Sequence, residues 1–303
     1  MGKVIEEKGF EFLEHTTKRA EELGFNTVFY PDHFMLPSNN TLLSCWSVLS
    51  ALAKITKTLR LCSLVTPIPL YPIYLISKNV ITVDNISKGR CMFGVGAGWY
   101  TREFKAYNVP FLTLKERTEA LEEAIQIFKL LCKSEDLISF EGKHYKIDEA
   151  MFYPKPIQKP HPPIWTGGTS NRILSITAKH AQGWIPYEQP LDVMEEKVRK
   201  LREMLIKNGR REDDIEVGMS FRCIVYEKRE KVKEVMRMLN LRREFINPLG
   251  VRSRVIVGTT EEVIEELRRY VDAGVEHLCF GMQPSNEMPE RLEFVRDRII
   301  PQL

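Results

Sequence analysis

The sequence predicts an α/β fold, a (β/α)8 TIM barrel whose first strand is short or missing and which carries an insertion after the fourth strand. Three observations lead there. Short apolar runs alternate with amphipathic helical stretches along almost the whole chain. The runs are apolar throughout rather than at every second position, which marks a parallel sheet covered on both faces. No linker interrupts the 303 residues, a length that suits one barrel of ~250 residues with an addition. The chain therefore reads as a single domain, 1–303.

The elements follow in order. TVFYPDHF (27–34) is the first legible strand, and LLSCWSVLSALAKIT is the helix after it. LRLCSLVT (59–66) is a strand followed by the helix YLISKNVITVDNIS; RCMFGVGAG (90–98) is the next, followed by a long helix over 115–133. PPIWTGG (162–168), GWIPY (183–187), IEVGMSFRCIVY (215–226) and EHLCFGMQ (276–283) complete the strands. EEVIEELRRYVDAG is the helix before the last strand, and 289–300 is the final helix. Segment 134–163 breaks the rhythm with a hairpin about Glu141–Gly142 and a proline-rich run, and is read as an insertion able to cover the barrel mouth. Ahead of the helix beginning near Lys8 only Val4–Ile5 are available for a first strand. Seven strands would leave two edges with unpaired backbone groups. A chain start truncated relative to its relatives, a covering segment, or a second subunit in a homodimer would account for that.

Composition narrows the function. With 44 basic and 41 acidic residues, net charge +3, the chain lacks the basic excess of a nucleic-acid or anionic-membrane binder. Neither a transmembrane stretch nor a signal-peptide core is legible, so a cytoplasmic protein is expected. The abundant Lys, Arg and Glu hint at a warm-adapted source. The six cysteines are scattered, without a C-x-x-C pair, as expected for reduced buried thiols. No H-x-H or H-E-x-x-H pattern suggests a metal hydrolase.

In such barrels the functional groups lie at the strand C-termini. The stretch MFGVGAGW (92–99) resembles a dinucleotide loop, but G-x-G-x-x-G from Gly94 and Gly96 would need glycine at 99, which is Trp99. Its alternating glycines instead strip one strand face of side chains, so that a flat ring or a neighbouring backbone can approach closely. Asp32–His33 ends a strand, and an imidazole beside a carboxylate suits proton transfer near pH 7. TGGTSNR (166–172) joins a strand to a helix, whose free N–H groups and dipole suit a phosphate.

Taken in order, AEELGFNTVFYPDHF, VTPIPLYP, ISKGRCMFGVGAGWYTREF, YPKPIQKPHPPIWTGGTS and QGW resemble the luciferase-like monooxygenase and F-420-dependent oxidoreductase family, from about Thr17 to Gln189, with a weaker echo over 257–278. The resemblance implies a hydride-transferring oxidoreductase that uses coenzyme F-420, an 8-hydroxy-5-deazaflavin, on a small organic substrate. An FMN-dependent monooxygenase of the same family is the alternative, and a degenerate flavin-binding or structural member a second one. It further implies His33 as proton donor or charge stabiliser, Asp32 as a cofactor contact, and a non-prolyl cis peptide at Ser63–Leu64 under the ring. Thr66, Ala97, Gly98, Gly167, Gly168, Ser170, Asn171 and Trp184 match further cofactor positions; Trp184 could equally pack the core. The sugar-phosphate dehydrogenases of the family place a glutamate where this chain has Trp99, which leaves Glu103 as a nearby acceptor. Gln182 replaces a usual aspartate, and Arg222 suits either an anion or an ion pair.

Overall fold

The computed structural model describes residues 2–36, 42–238, 240, 242–246, 252–281 and 288–303. Two compact units divide the chain, Met1–Gly167 and Gly168–Leu303. The first begins with α1 (Gly2–Glu22), bent at Gly9, and continues through β1 (Thr27–Tyr30), α2 (Cys45–Ile55), β2 (Arg60–Ser63), β3 (Thr66–Pro67), α3 (Ile73–Ser87) and β4 (Cys91–Gly96). After these come α4 (Thr101–Ala106), α5 (Leu114–Lys133), β5 (Ile138–Glu141), β6 (Lys146–Ala150) and β7 (Ile164–Thr166). Val4 and Ile5 lie within α1, and among the described residues no strand precedes Thr27.

The sheet of this unit is parallel throughout. Tyr30 aligns with Ser63, Cys62 with Met92, and Val95 with both Thr66 and Thr166. Every residue of β4 is buried, which explains its continuous apolar run. The helices supply the cover: Trp46, Phe93 and Phe128 form a chain of aromatic contacts from α2 through β4 to α5. At the other end of the strands, Arg90 donates to the carbonyls of Ala53, Thr56, Leu59 and Ser87. Those acceptors include the last carbonyls of α2, which have no partner within the helix.

The hairpin of the insertion is present as β5 and β6, antiparallel, with Glu141 opposite Lys146. Its docking differs from the expected cover. The backbone N–H groups of Lys143, His144 and Tyr145 donate to the Glu123 carboxylate on α5. Further on, Ile157 and Gln158 donate to the buried Asp84 on α3, and Gln158 Nε2 reaches the Cys91 carbonyl where β4 begins. The half-buried Glu123 and the buried Asp84 therefore fasten the insertion to the helical layer and to the strand N-termini, not across the strand C-termini.

The second unit contains α6 (Asn171–His180), β8 (Gly183–Trp184), α7 (Leu191–Lys207), β9 (Glu216–Tyr226), α8 (Arg229–Met238), β10 (Glu244–Ile246), β11 (Arg252–Arg254), β12 (Ile256–Thr259), α9 (Thr260–Asp272), β13 (His277–Gly281) and α10 (Met288–Phe294). The long β9 has three parallel partners: β8 along Glu216–Val217, β13 along Gly218–Arg222, and β12 along Cys223–Tyr226. Strand β12 was not expected from the sequence. It is four residues long and runs straight into α9, whose capping box joins Thr259 and Glu262. Its Val257 packs in one cluster with Val232, Ile224 and Tyr226, so tertiary partners rather than length define it. Met282 and Gln283, placed in the last strand by the sequence reading, lie outside the described residues. Among the described residues no helix is long and apolar enough to cross a membrane.

Candidate active site

In the first unit the parallel strands bring Asp32 and His33 (after β1), Ser63 and Leu64 (end of β2), Thr66 (β3), Ala97 and Gly98 (after β4) and Gly167 (after β7) to one end of the sheet. Two polar networks are built there. Asp32, only 3% exposed, accepts from the hydroxyls of Thr66 (2.7 Å) and Tyr71 (2.7 Å), and Thr66 Oγ1 in turn accepts from the indole N–H of Trp46 at 3.1 Å. His33 Nδ1 lies 3.0 Å from Glu103 Oε2, while Glu103 Oε1 accepts from the backbone N–H groups of Phe34 (2.6 Å) and Met35 (3.1 Å). The edge of Trp99 meets the His33 ring at 5.7 Å between centroids.

The glycines of β4 are explained by close approach. A Cβ on Gly94 would stand 1.7 Å from the Ser63 carbonyl oxygen, and one on Gly96 would stand 2.7 Å from Val65 Cγ2. A neighbouring backbone, together with the Val65 side chain, takes the room they leave. The non-prolyl cis peptide is at Leu64–Val65, not at Ser63–Leu64. Ser63 still pairs with Tyr30, and the Leu64 N–H donates to the Tyr30 carbonyl at 2.8 Å, so the Ser63–Leu64 bond belongs to the regular ladder. The chain leaves the ladder only at the following bond. Leu64 and Val65 are half-buried, and the Val65 side chain fills the space beside Gly96 and Gly167.

Burial raises the Asp32 carboxyl above its ordinary value, against the lowering effect of the Tyr71 and Thr66 hydroxyls. For a raised carboxyl, the unfolded chain ionises first as pH rises, so folding stability falls from about the ordinary value of 3.8 upward until the folded group also ionises. Asp32→Asn removes this slope. The stability gap between wild type and variant is expected to narrow with rising pH in denaturant titrations; a constant gap would refute the assignment.

In the second unit Gly168, at φ 110°, precedes Ser170, which caps α6 by accepting from the Ile173 N–H, with Asn171 the first helical residue. Trp184 is fully buried and donates its indole N–H to the Gly168 carbonyl at 2.8 Å. It packs the core and holds the glycine turn in place. Of the two readings of Arg222, the structure shows the ion pair: its Nε and Nη2 both meet the buried carboxylate of Glu188.

Trp46 and Tyr71 were missed by sequence reasoning. Tyr71 lies inside the VTPIPLYP stretch and was within reach; Trp46, in the first turn of α2, has nothing local to distinguish it from core. Glu103 was weighed only as a nearby acceptor, and its pairing with His33 is tertiary information.

A model of a family described as luciferase-like monooxygenase matches residues 4–250. Among solved structures, the chain resembles the coenzyme F-420-dependent tetrahydromethanopterin reductase of Methanopyrus kandleri, with TM-score 0.80 and 20% identity over 96% of this chain and 95% of that one. An F-420-dependent secondary alcohol dehydrogenase in complex with an F-420–acetone adduct gives 0.82 and 20%, over 97% and 94%. A monooxygenase from Streptomyces bottropensis gives 0.80 and 18%, over 97% and 93%. Likeness at this identity concerns the fold, and it agrees with the α/β class read from the sequence.

Proposed function

Because this chain belongs to the luciferase-like monooxygenase family, we propose that it is an oxidoreductase using coenzyme F-420, with hydride passing to or from a small organic substrate. The observation that carries this reading is His33, partly exposed at the strand ends and held through Nδ1 by a buried carboxylate. That arrangement suits a group that exchanges a proton as hydride moves elsewhere. Two of the structural relatives named above are F-420-dependent by description. The third is a monooxygenase by description, which is in keeping with the second reading, an FMN-dependent monooxygenase.

The residues present fit such a group. When bound, the deazaflavin supplies a hydride-accepting and hydride-donating carbon. The half-buried Leu64–Val65 bulge, with Ala97 and Gly98, would support a planar ring; Gly96 and Gly167 leave space for Val65 to fill the layer beneath. In the second unit, taken by itself, the N–H groups at the start of α6, with Gly168, Ser170 and Asn171, suit a phosphate, as helix N-termini do. Trp184 acts through Gly168. Asp32 acts by anchoring Thr66 and Tyr71, and His33 gives or takes the proton.

Titration of the purified protein separates the readings. Saturable binding of F-420, followed by its fluorescence, is expected, with weaker binding of FMN. FMN that co-purifies or binds more tightly would move the assignment to the monooxygenase, and binding of neither would defeat both.

A further inference from the structure

We propose that Glu103 is a positioning residue that sets the tautomer of His33, keeping the ring hydrogen on Nδ1 and leaving Nε2 as the atom that exchanges a proton. Only the use made of Nε2 rests on the oxidoreductase reading; the tautomer itself follows from geometry. Glu103 is 1% exposed on α4, seventy positions along the chain from His33. Its Oε1 takes two backbone N–H groups, from Phe34 and Met35. With that oxygen committed to donors, the carboxylate is held as an acceptor, and the remaining oxygen faces Nδ1 at 3.0 Å. Nδ1 must then donate. The role of one imidazole nitrogen is set by the partner of the other, so the lone pair of the neutral ring falls to Nε2.

The same carboxylate also orders the backbone that carries the ring. Beyond Tyr30 the chain has left the β1–β2 ladder, and Glu103 satisfies two consecutive amides just after His33. Trp99, edge-on to the imidazole at 80° between planes, packs against the ring. Position and protonation of His33 thus come from one buried side chain on a different element.

The test is the histidine tautomer in cofactor-free protein labelled with ¹⁵N-histidine, read from long-range ¹H–¹⁵N correlation spectra at alkaline pH, with His33 identified by its loss in His33→Gln. Wild type is expected to show the Nδ1–H form. Glu103→Gln keeps an oxygen for the two amides but turns an NH2 group toward Nδ1, so the ring should invert to the Nε2–H form without loss of the fold. A wild-type ring already in the Nε2–H form would overturn the proposal, and that spectrum needs no Glu103 variant. An unchanged tautomer in a folded Glu103→Gln protein would overturn it as well. Because no cofactor is present, failure of the F-420 titration with the tautomer as expected would defeat the functional reading alone.

Discussion

His33→Ala is expected to lower turnover by about 10²–10⁴-fold, the range of lost acid–base assistance, while the fold and cofactor affinity stay nearly intact. The imidazole lies at the strand ends and not in the core, where among the described residues it is hydrogen-bonded to Glu103 and set edge-on with Trp99, so its removal is expected to leave the strand and helix packing in place. Glu103 would keep its two backbone donors and lose only the third. A lost hydrogen bond at a buried carboxylate costs about 1–3 kcal/mol, which a stable domain tolerates. Steady-state rates set beside thermal melts and F-420 titrations decide the matter. Unchanged turnover would remove His33 from the mechanism; loss of turnover in step with loss of fold would make it a structural residue.

The second large effect is on folding. Gly94→Ala is expected to yield little folded protein, because the new methyl group would sit 1.7 Å from the Ser63 carbonyl oxygen and 3.1 Å from Cys62 Sγ. Overpacking a core typically costs 1–3 kcal/mol, occasionally more, and that range assumes side chains can yield. Here the obstacle is the backbone of β2, which the Leu61–Cys91 and Cys62–Met92 register holds against β4. Domain stability is only about 5–15 kcal/mol in total, so a penalty at or above the top of the range is decisive. Soluble yield and the denaturant midpoint measure it. A variant within about 0.5 kcal/mol of wild type, the scale of an ordinary surface change, would show that the strand spacing is not what requires this glycine.

Both predictions start from residues that stand out in the sequence, yet their reasons were only partly legible there. The alternation of Gly94, Gly96 and Gly98 marked a close approach, and its spacing excluded a dinucleotide loop. That the approaching groups are the Ser63 carbonyl at Gly94 and the Val65 side chain at Gly96, and that the cis bond falls one residue later than expected, depends on where the β1–β2 ladder ends. The insertion shows the same division. Its hairpin was readable at Glu141–Gly142 because turn chemistry is local, but its attachment through Glu123 and Asp84 joins segments 20 to 74 positions apart.

By itself the sequence determined the order of seven strands and the helices between them in this parallel α/β chain, though not β10 to β12, and the strand ends where polar residues gather, because apolar periodicity and turn residues act over a few neighbours. Tertiary structure alone decided which partners those residues meet. Glu103 reaches His33, Trp46 reaches Thr66 and Tyr71 reaches Asp32 because the parallel register brings distant loops to the same end of the sheet. A hydrogen bond of that kind depends on a distance across the fold, and no local pattern encodes it.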